Sequence, residues 1–233
     1  MTFFWKAKEN GAAGGLRALR IFFLGALGLS LSGCLDIFQY ITRLDNGADR
    51  HVIKIGLTAN PLVMEEIERK ERLEEIKSME EFLELYKIIN AYKQYGAAIE
   101  EIDDAGEFGY LVKMDILHNE DTVEMIIAGN DNFVPRYTRD GMIIPLKNLG
   151  AGIVDEHTKS FLFGLGRYHL MISKRCMPRI SSAAALASQK PVDGLPPLPV
   201  TVFDLGDYYL VNVPLSFFSE NYRFLMLYSG PAS

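Results

Sequence analysis

Residues 35–44, Leu-Asp-Ile-Phe-Gln-Tyr-Ile-Thr-Arg-Leu, and residues 52–57, Val-Ile-Lys-Ile-Gly-Leu, are rich in β-branched and aromatic side chains, and Asp45-Asn46-Gly47 stands between them. Asn and Gly enter positive φ at the lowest steric cost, so Asn-Gly between two such runs predicts a β-hairpin. A hairpin cannot bury its apolar face alone, so the rest of the chain has to cover it. Later runs read the same way: 98–101, 110–117, 123–127, 161–172, 200–213 and 222–228 are expected strands. Asp103-Asp104-Ala105-Gly106 reads as a turn, and the segment 133–146 carries another at Arg139-Asp140-Gly141. The small-residue run Ser181-Ser182-Ala183-Ala184-Ala185 and the Pro-rich stretch up to Pro199 read as a loop-rich excursion over 181–199.

One segment has helical spacing. Asn60-Pro61 supplies an N-cap and a first-turn proline, and Glu65, Glu66 and Glu68 suit the positive end of a helix dipole. Apolar residues then recur at intervals of three and four, through Leu73, Ile76, Met79, Phe82, Leu83, Tyr86, Ile89 and Tyr92, until Gly96 ends the stripe. The charged run from Glu65 to Glu81 forms its solvated face. The predicted fold class is α+β: a largely antiparallel sheet packed against one long α-helix, with one or two short helices.

The first 33 residues have the layout of an export signal. Lys6, Lys8, Arg17 and Arg20 make the start basic, an uncharged apolar run follows from Ile21 to Leu31, and small residues precede Cys34. That run has about 11 residues, where a bilayer-spanning helix needs roughly 20. The order Leu31-Ser32-Gly33-Cys34 resembles the lipobox of bacterial lipoproteins. The resemblance implies cleavage before Cys34, a thioether-linked diacylglycerol on its sulfur and acylation of the new amino terminus with chains such as palmitate. Each buried lipid CH2 contributes about 0.8 kcal/mol, so two or three chains make release negligible. The expected organisation is a signal peptide at 1–33 and a single domain at 34–233. Its expected place is the exported side of a cell membrane or outer membrane, periplasmic or at the surface.

Of 24 basic and 30 acidic residues, four and one respectively lie before Cys34, so the mature chain carries 20 against 29, a net charge of −9. Nucleic acid is a poor partner for such a surface. With Cys34 acylated, Cys176 has no partner for a disulfide and reads as a small buried hydrophobe. The four histidines, His51, His118, His157 and His169, show no metal-ligand spacing. His51 follows the hairpin turn and is expected to face solvent, and Asp155 beside His157 reads as a helix cap. Gly164-Leu165-Gly166 lacks the third glycine and the lysine of a phosphate loop and reads as a strand irregularity. Neither a Gly-x-Ser-x-Gly elbow nor a His-Glu-x-x-His motif occurs. The sequence thus predicts no enzyme, no catalytic residue, no metal and no cofactor.

The runs 208–213 and 217–228 hold many aromatic residues without clean alternation, as in strands covered on both faces by core or by a ligand. The layout over residues 34–150, with lipobox, immediate hairpin, helix and further hairpins, resembles the LppM-like family of bacterial lipoproteins. That resemblance implies binding of lipid or glycolipid at the cell envelope. The expected function is therefore a non-enzymatic, membrane-anchored binding module for lipid or another apolar ligand. The alternative is a structural protein that docks other envelope proteins through a sheet edge or the acidic helix.

Overall fold

The computed structural model describes residues 35–58, 92–93, 96–104, 107–116, 132–147, 149, 164, 166–188, 195–218 and 221–230. Eleven strands run in chain order: β1 (Leu35–Arg43), β2 (Asp49–Thr58), β3 (Ala98–Asp104), β4 (Glu107–Ile116), β5 (Arg136–Thr138), β6 (Gly141–Pro145), β7 (Arg167–Ser173), β8 (Ser182–Leu186), β9 (Leu198–Asp204), β10 (Tyr208–Pro214) and β11 (Phe224–Tyr228). They form one sheet in the order β3-β4-β2-β1-β7-β10-β9-β8-β11-β6-β5. All pairings are antiparallel except that of β1 with β7.

The expected hairpin is there, with Ile41 opposite His51 and Arg43 opposite Asp49. Its turn contains Gly47 at φ 86° and a hydrogen bond from the Ala48 N–H to Asn46 Oδ1. Strands also form within the runs expected at 98–101, 110–117, 161–172, 200–213 and 222–228, and the turn expected at 139–141 joins β5 to β6. Residues 103–104, expected in a turn, belong to β3, and residues 182–186, expected in a loop, form β8. The strand expected at 123–127 and the cap at Asp155 lie outside the described residues.

The α+β expectation is overturned. The described residues are nearly all β, in one large mixed sheet, with a single 3-10 turn at Leu215–Phe218 and no long helix. Most of 60–96, where the long helix was expected, lies outside the described residues. The sheet doubles back so that its two halves share one core, to which Tyr92 from the end of the expected helical segment also belongs. β9 makes the corner: Leu198–Val200 pair with β8, and Thr201–Asp204 pair with β10. Inward residues of both halves then share one core, among them Ile37, Ile53, Val112, Leu170 and Val211 from one side and Met142, Ile144, Ala185 and Leu225 from the other. At about 25 cal/mol per Å2 of apolar surface, burying such side chains is the dominant favourable term.

Two glycines test the packing differently. A Cβ on Gly109 in β4 would lie 2.0 Å from the backbone oxygen of Ile55 in the neighbouring strand, a contact only backbone movement can relieve. Gly47 sits at positive φ with open space around it. Gly109→Ala should therefore lower stability by about 1–3 kcal/mol through overpacking. Gly47→Ala should lose only about 1–2 kcal/mol, from the left-handed backbone alone. The midpoints of urea unfolding check both, and equal midpoints for Gly109→Ala and wild type would contradict this packing.

Candidate functional site

Alternation along a strand sends odd-numbered β1 residues into the core, so Gln39 enters it between Ile37 and Ile41 and is fully buried. Its carboxamide is oriented by its partners. The Phe133 carbonyl can only accept, so the nitrogen must face it, and Nε2 donates to Phe133 O at 2.6 Å. The Tyr168 hydroxyl donates to Gln39 Oε1 at 2.5 Å. Nε2 also lies 3.3 Å from His51 Nδ1, which must accept there and so places the ring proton on Nε2 of the imidazole. Phe133 has φ 62°, unusual for a bulky residue, and its N–H donates to Pro145 O at 2.8 Å. Gln39 thus ties β1, β2, β7 and the strained entry to β5 together.

A second buried cluster lies at the turn end of the same hairpin. Asp49 is fully buried and accepts from Arg43 Nε at 2.9 Å and from the Tyr137 hydroxyl of β5 at 2.5 Å. The Cys176 thiol stands 3.8 Å from the same carboxylate. Burial, with the Asp49 charge second, pushes that thiol up to about 12. Thiolate is the reactive form, so Cys176 is a buried, inert thiol, in line with its reading from the sequence. His51, expected at the surface, is instead fully buried, because the hairpin register turns it to the inner face opposite Ile41.

The third cluster lies on the opposite, outer face. There the register sets Asp36 beside Arg167, and Phe38 beside His169, which pairs in turn with Asn212 of β10. His169 stacks on Phe38 with ring centroids 4.4 Å apart and planes 14° apart, and Met171 follows it on the same face. Although outward, Asp36, Phe38, His169 and Met171 are all buried, His169 to 2% exposure. His169 Nε2 is 3.9 Å from Asp36 Oδ1, too far for a hydrogen bond. Neither ring nitrogen of His169 nor Oδ1 of Asn212 makes a hydrogen bond, though all three atoms are buried. Burial, and then the Arg167 charge, lowers the His169 pKa to about 4, so the ring is neutral at pH 7.

Cys34, the sequence-predicted acylation site, lies outside the described residues, as do His118 and His157; β1 begins at the very next residue, Leu35. Among the described residues no three His, Cys, Asp or Glu side chains converge as a metal site would require. The sequence marked neither Gln39 nor the pairing of His169 with Asn212. The near-absence of alternation in residues 35–41 was the one available signal that both faces of β1 are covered.

Three consequences are measurable. Gln39→Leu leaves the Phe133 carbonyl, His51 Nδ1 and the Tyr168 hydroxyl without their amide partner, at about 1–3 kcal/mol per group, so the unfolding midpoint should fall by far more than for a surface Gln→Leu change. Cys176 should resist iodoacetamide at pH 8 in the native protein and react fully in urea, as read by mass spectrometry of its peptide. The depressed His169 pKa favours the neutral ring in the folded state. Its stabilising contribution is whole above the unfolded value of 6.5 and is lost as pH falls towards about 4. His169→Phe should flatten the midpoint-against-pH curve in that window.

No protein-family model, curated protein or solved structure matches this chain, so the reading of its function rests on the residues themselves.

Proposed function

We propose that this chain is an exported lipoprotein, held at the cell envelope by acyl chains on Cys34, whose β-domain is a non-enzymatic binding module for a lipid or other apolar ligand. The carrying observation is the outer face of β1 and β7. Phe38, His169 and Met171 point away from the core there and are nonetheless buried, and polar atoms on His169 and Asn212 have no hydrogen bond. Apolar walls with a few placed polar groups are the usual make-up of a small-molecule site. The lipobox-like Leu31-Ser32-Gly33-Cys34 supports the anchor, and the start of β1 at Leu35 leaves no tether between lipid and sheet. Ligand exchange with a membrane surface is then a short-range event. The protonated state of Cys176 favours binding over nucleophilic chemistry, and the mature charge of −9 disfavours nucleic acid.

A docking role has one observation in its favour. Phe203 and Leu205, at the β9–β10 turn, are 49% and 48% exposed. The register places this turn near the Arg43 end of β1, roughly 25–30 Å along the strands from Leu35. Two such side chains at the opposite end of the strands from Leu35 suit contact with another envelope protein.

In cells, Cys34→Ser should abolish palmitate incorporation, leave the signal uncleaved at Cys34 and shift the mass of the protein accordingly. Wild type extracted in mild detergent should carry a stoichiometric lipid beyond its covalent chains in native mass spectra. Absence of label in wild type would remove the anchor, and absence of any bound lipid would remove the binding role. Photocrosslinkers at positions 203 and 205 that trap one specific protein would favour docking instead.

A further inference from the structure

Granting the acylation of Cys34 proposed above, the fold decides which end of the domain meets the bilayer. One trans peptide joins Cys34 to Leu35, about 3.8 Å between Cα atoms. β1 is paired on both sides from its first residues, with Leu35 opposite Leu57 of β2 and Asp36 beside Arg167 of β7. Both residues are buried, so peeling the strand away to lengthen the tether would break two ladders and expose their backbone groups. One residue before Arg167, Gly166 is level with Leu35, and its carbonyl accepts from the Leu215 N–H at 3.0 Å. Leu215 opens the 3-10 turn Leu215–Phe218 that follows β10. Neighbouring strands lie about 4.8 Å apart, so this turn stands roughly 10 Å from Leu35, at the same end of the sheet.

The side chains at that turn suit a water–lipid boundary. Ser216 is exposed, and Phe217 and Tyr222 are half-buried, each packed against the core. Their ring centroids are 6.4 Å apart, and the Tyr222 hydroxyl donates to Pro196 O at 3.0 Å. Aromatic rings with one apolar and one wet side are favoured at headgroup level. The mature charge of −9 gives no general attraction to anionic lipid, and the register neighbours Asp36 and Arg167 are of opposite sign.

We propose that this end of the sheet, with Ser216, Phe217 and Tyr222, is a membrane-contact surface resting on the headgroups of the bilayer that holds the Cys34 acyl chains. The strands rise from it, so the Phe203 and Leu205 tip is held clear of the membrane. Acyl chains and aromatic rings hold the contact, and uncharged lipid suffices.

The test uses the full acylated protein. Ser216→Cys and Leu205→Cys, at two exposed positions, are each labelled with bimane in detergent; the thioether blocks Cys34 and burial protects Cys176. The labelled proteins are then reconstituted into phosphatidylcholine vesicles, with or without a nitroxide on the lipid headgroup. The headgroup layer is roughly 5–8 Å deep on each side, and position 205 lies about 25–30 Å along the strands from Leu35. Quenching at 216 should therefore exceed that at 205 about fivefold or more, and high salt should leave the ratio unchanged. Equal quenching at the two positions, or quenching at neither, in protein that carries lipid on Cys34 and floats with the vesicles, overturns the contact surface while the anchor stands. A ratio that collapses in high salt overturns the aromatic contact. Protein that lacks lipid on Cys34 and does not float overturns the anchor and the contact together. Should Ser216→Cys fail to fold, wild type decides, in vesicles of a phosphatidylcholine with a headgroup diazirine. Tandem mass spectrometry should then find the crosslinks at 215–218, and crosslinks at 203–207 instead would overturn the proposal.

Discussion

The Gln39 carboxamide is the point on which the two halves of this sheet depend. Its nitrogen holds the Phe133 carbonyl and its oxygen takes the Tyr168 hydroxyl, all within a fully buried environment. In low dielectric each of these bonds is strengthened, and each group is costly to leave unpaired. Phe133 pays for a left-handed backbone at the same place. The Gln39 amide donates to the Phe133 carbonyl and the Pro145 carbonyl accepts from the Phe133 N–H, which holds that conformation at the entry to β5, whose Tyr137 reaches Asp49. An amide in place of a hydrocarbon at position 39 gives up burial energy and gains a unique arrangement.

The corner at β9 is the second constraint. One strand serving two neighbours at its two ends lets a single eleven-stranded sheet behave as two facing layers. The inward positions near that corner on β8 are Ala183 and Ala185, whose methyl groups fill the space with little volume. The same small residues have weak strand propensity, which is why residues 182–186 read as a loop in the sequence. The parallel pairing of β1 with β7, separated by more than a hundred residues, brings Tyr168 to Gln39 on the inner face and His169 to Phe38 on the outer one.

The two histidines of these strands show how little a side chain's type says about its role. His51 and His169 are both buried, yet His51 Nδ1 is bonded into the core network while neither ring nitrogen of His169 makes a hydrogen bond. The difference lies in parity. An odd residue on β2 faces inward, where Gln39 waits; an odd residue on β7 faces outward, toward Phe38 and Asn212. A shift of one residue in either register would exchange these environments.

The sequence by itself determined the local elements: the Asn46-Gly47 hairpin, most of the strands and the unpaired Cys176. Each follows from neighbours a few residues apart, through turn sterics, side-chain alternation or charge. The tertiary structure decided the rest: a mixed sheet whose two halves share one core where an α+β layering was expected, a buried His51, and the meeting of Gln39 with Phe133 and of His169 with Asn212. Strand order and register are settled by long-range pairing, since any strand of suitable pattern satisfies the local rules equally well. Only the choice of neighbour tells an inward polar residue from an outward one, and that choice is made by the whole core at once.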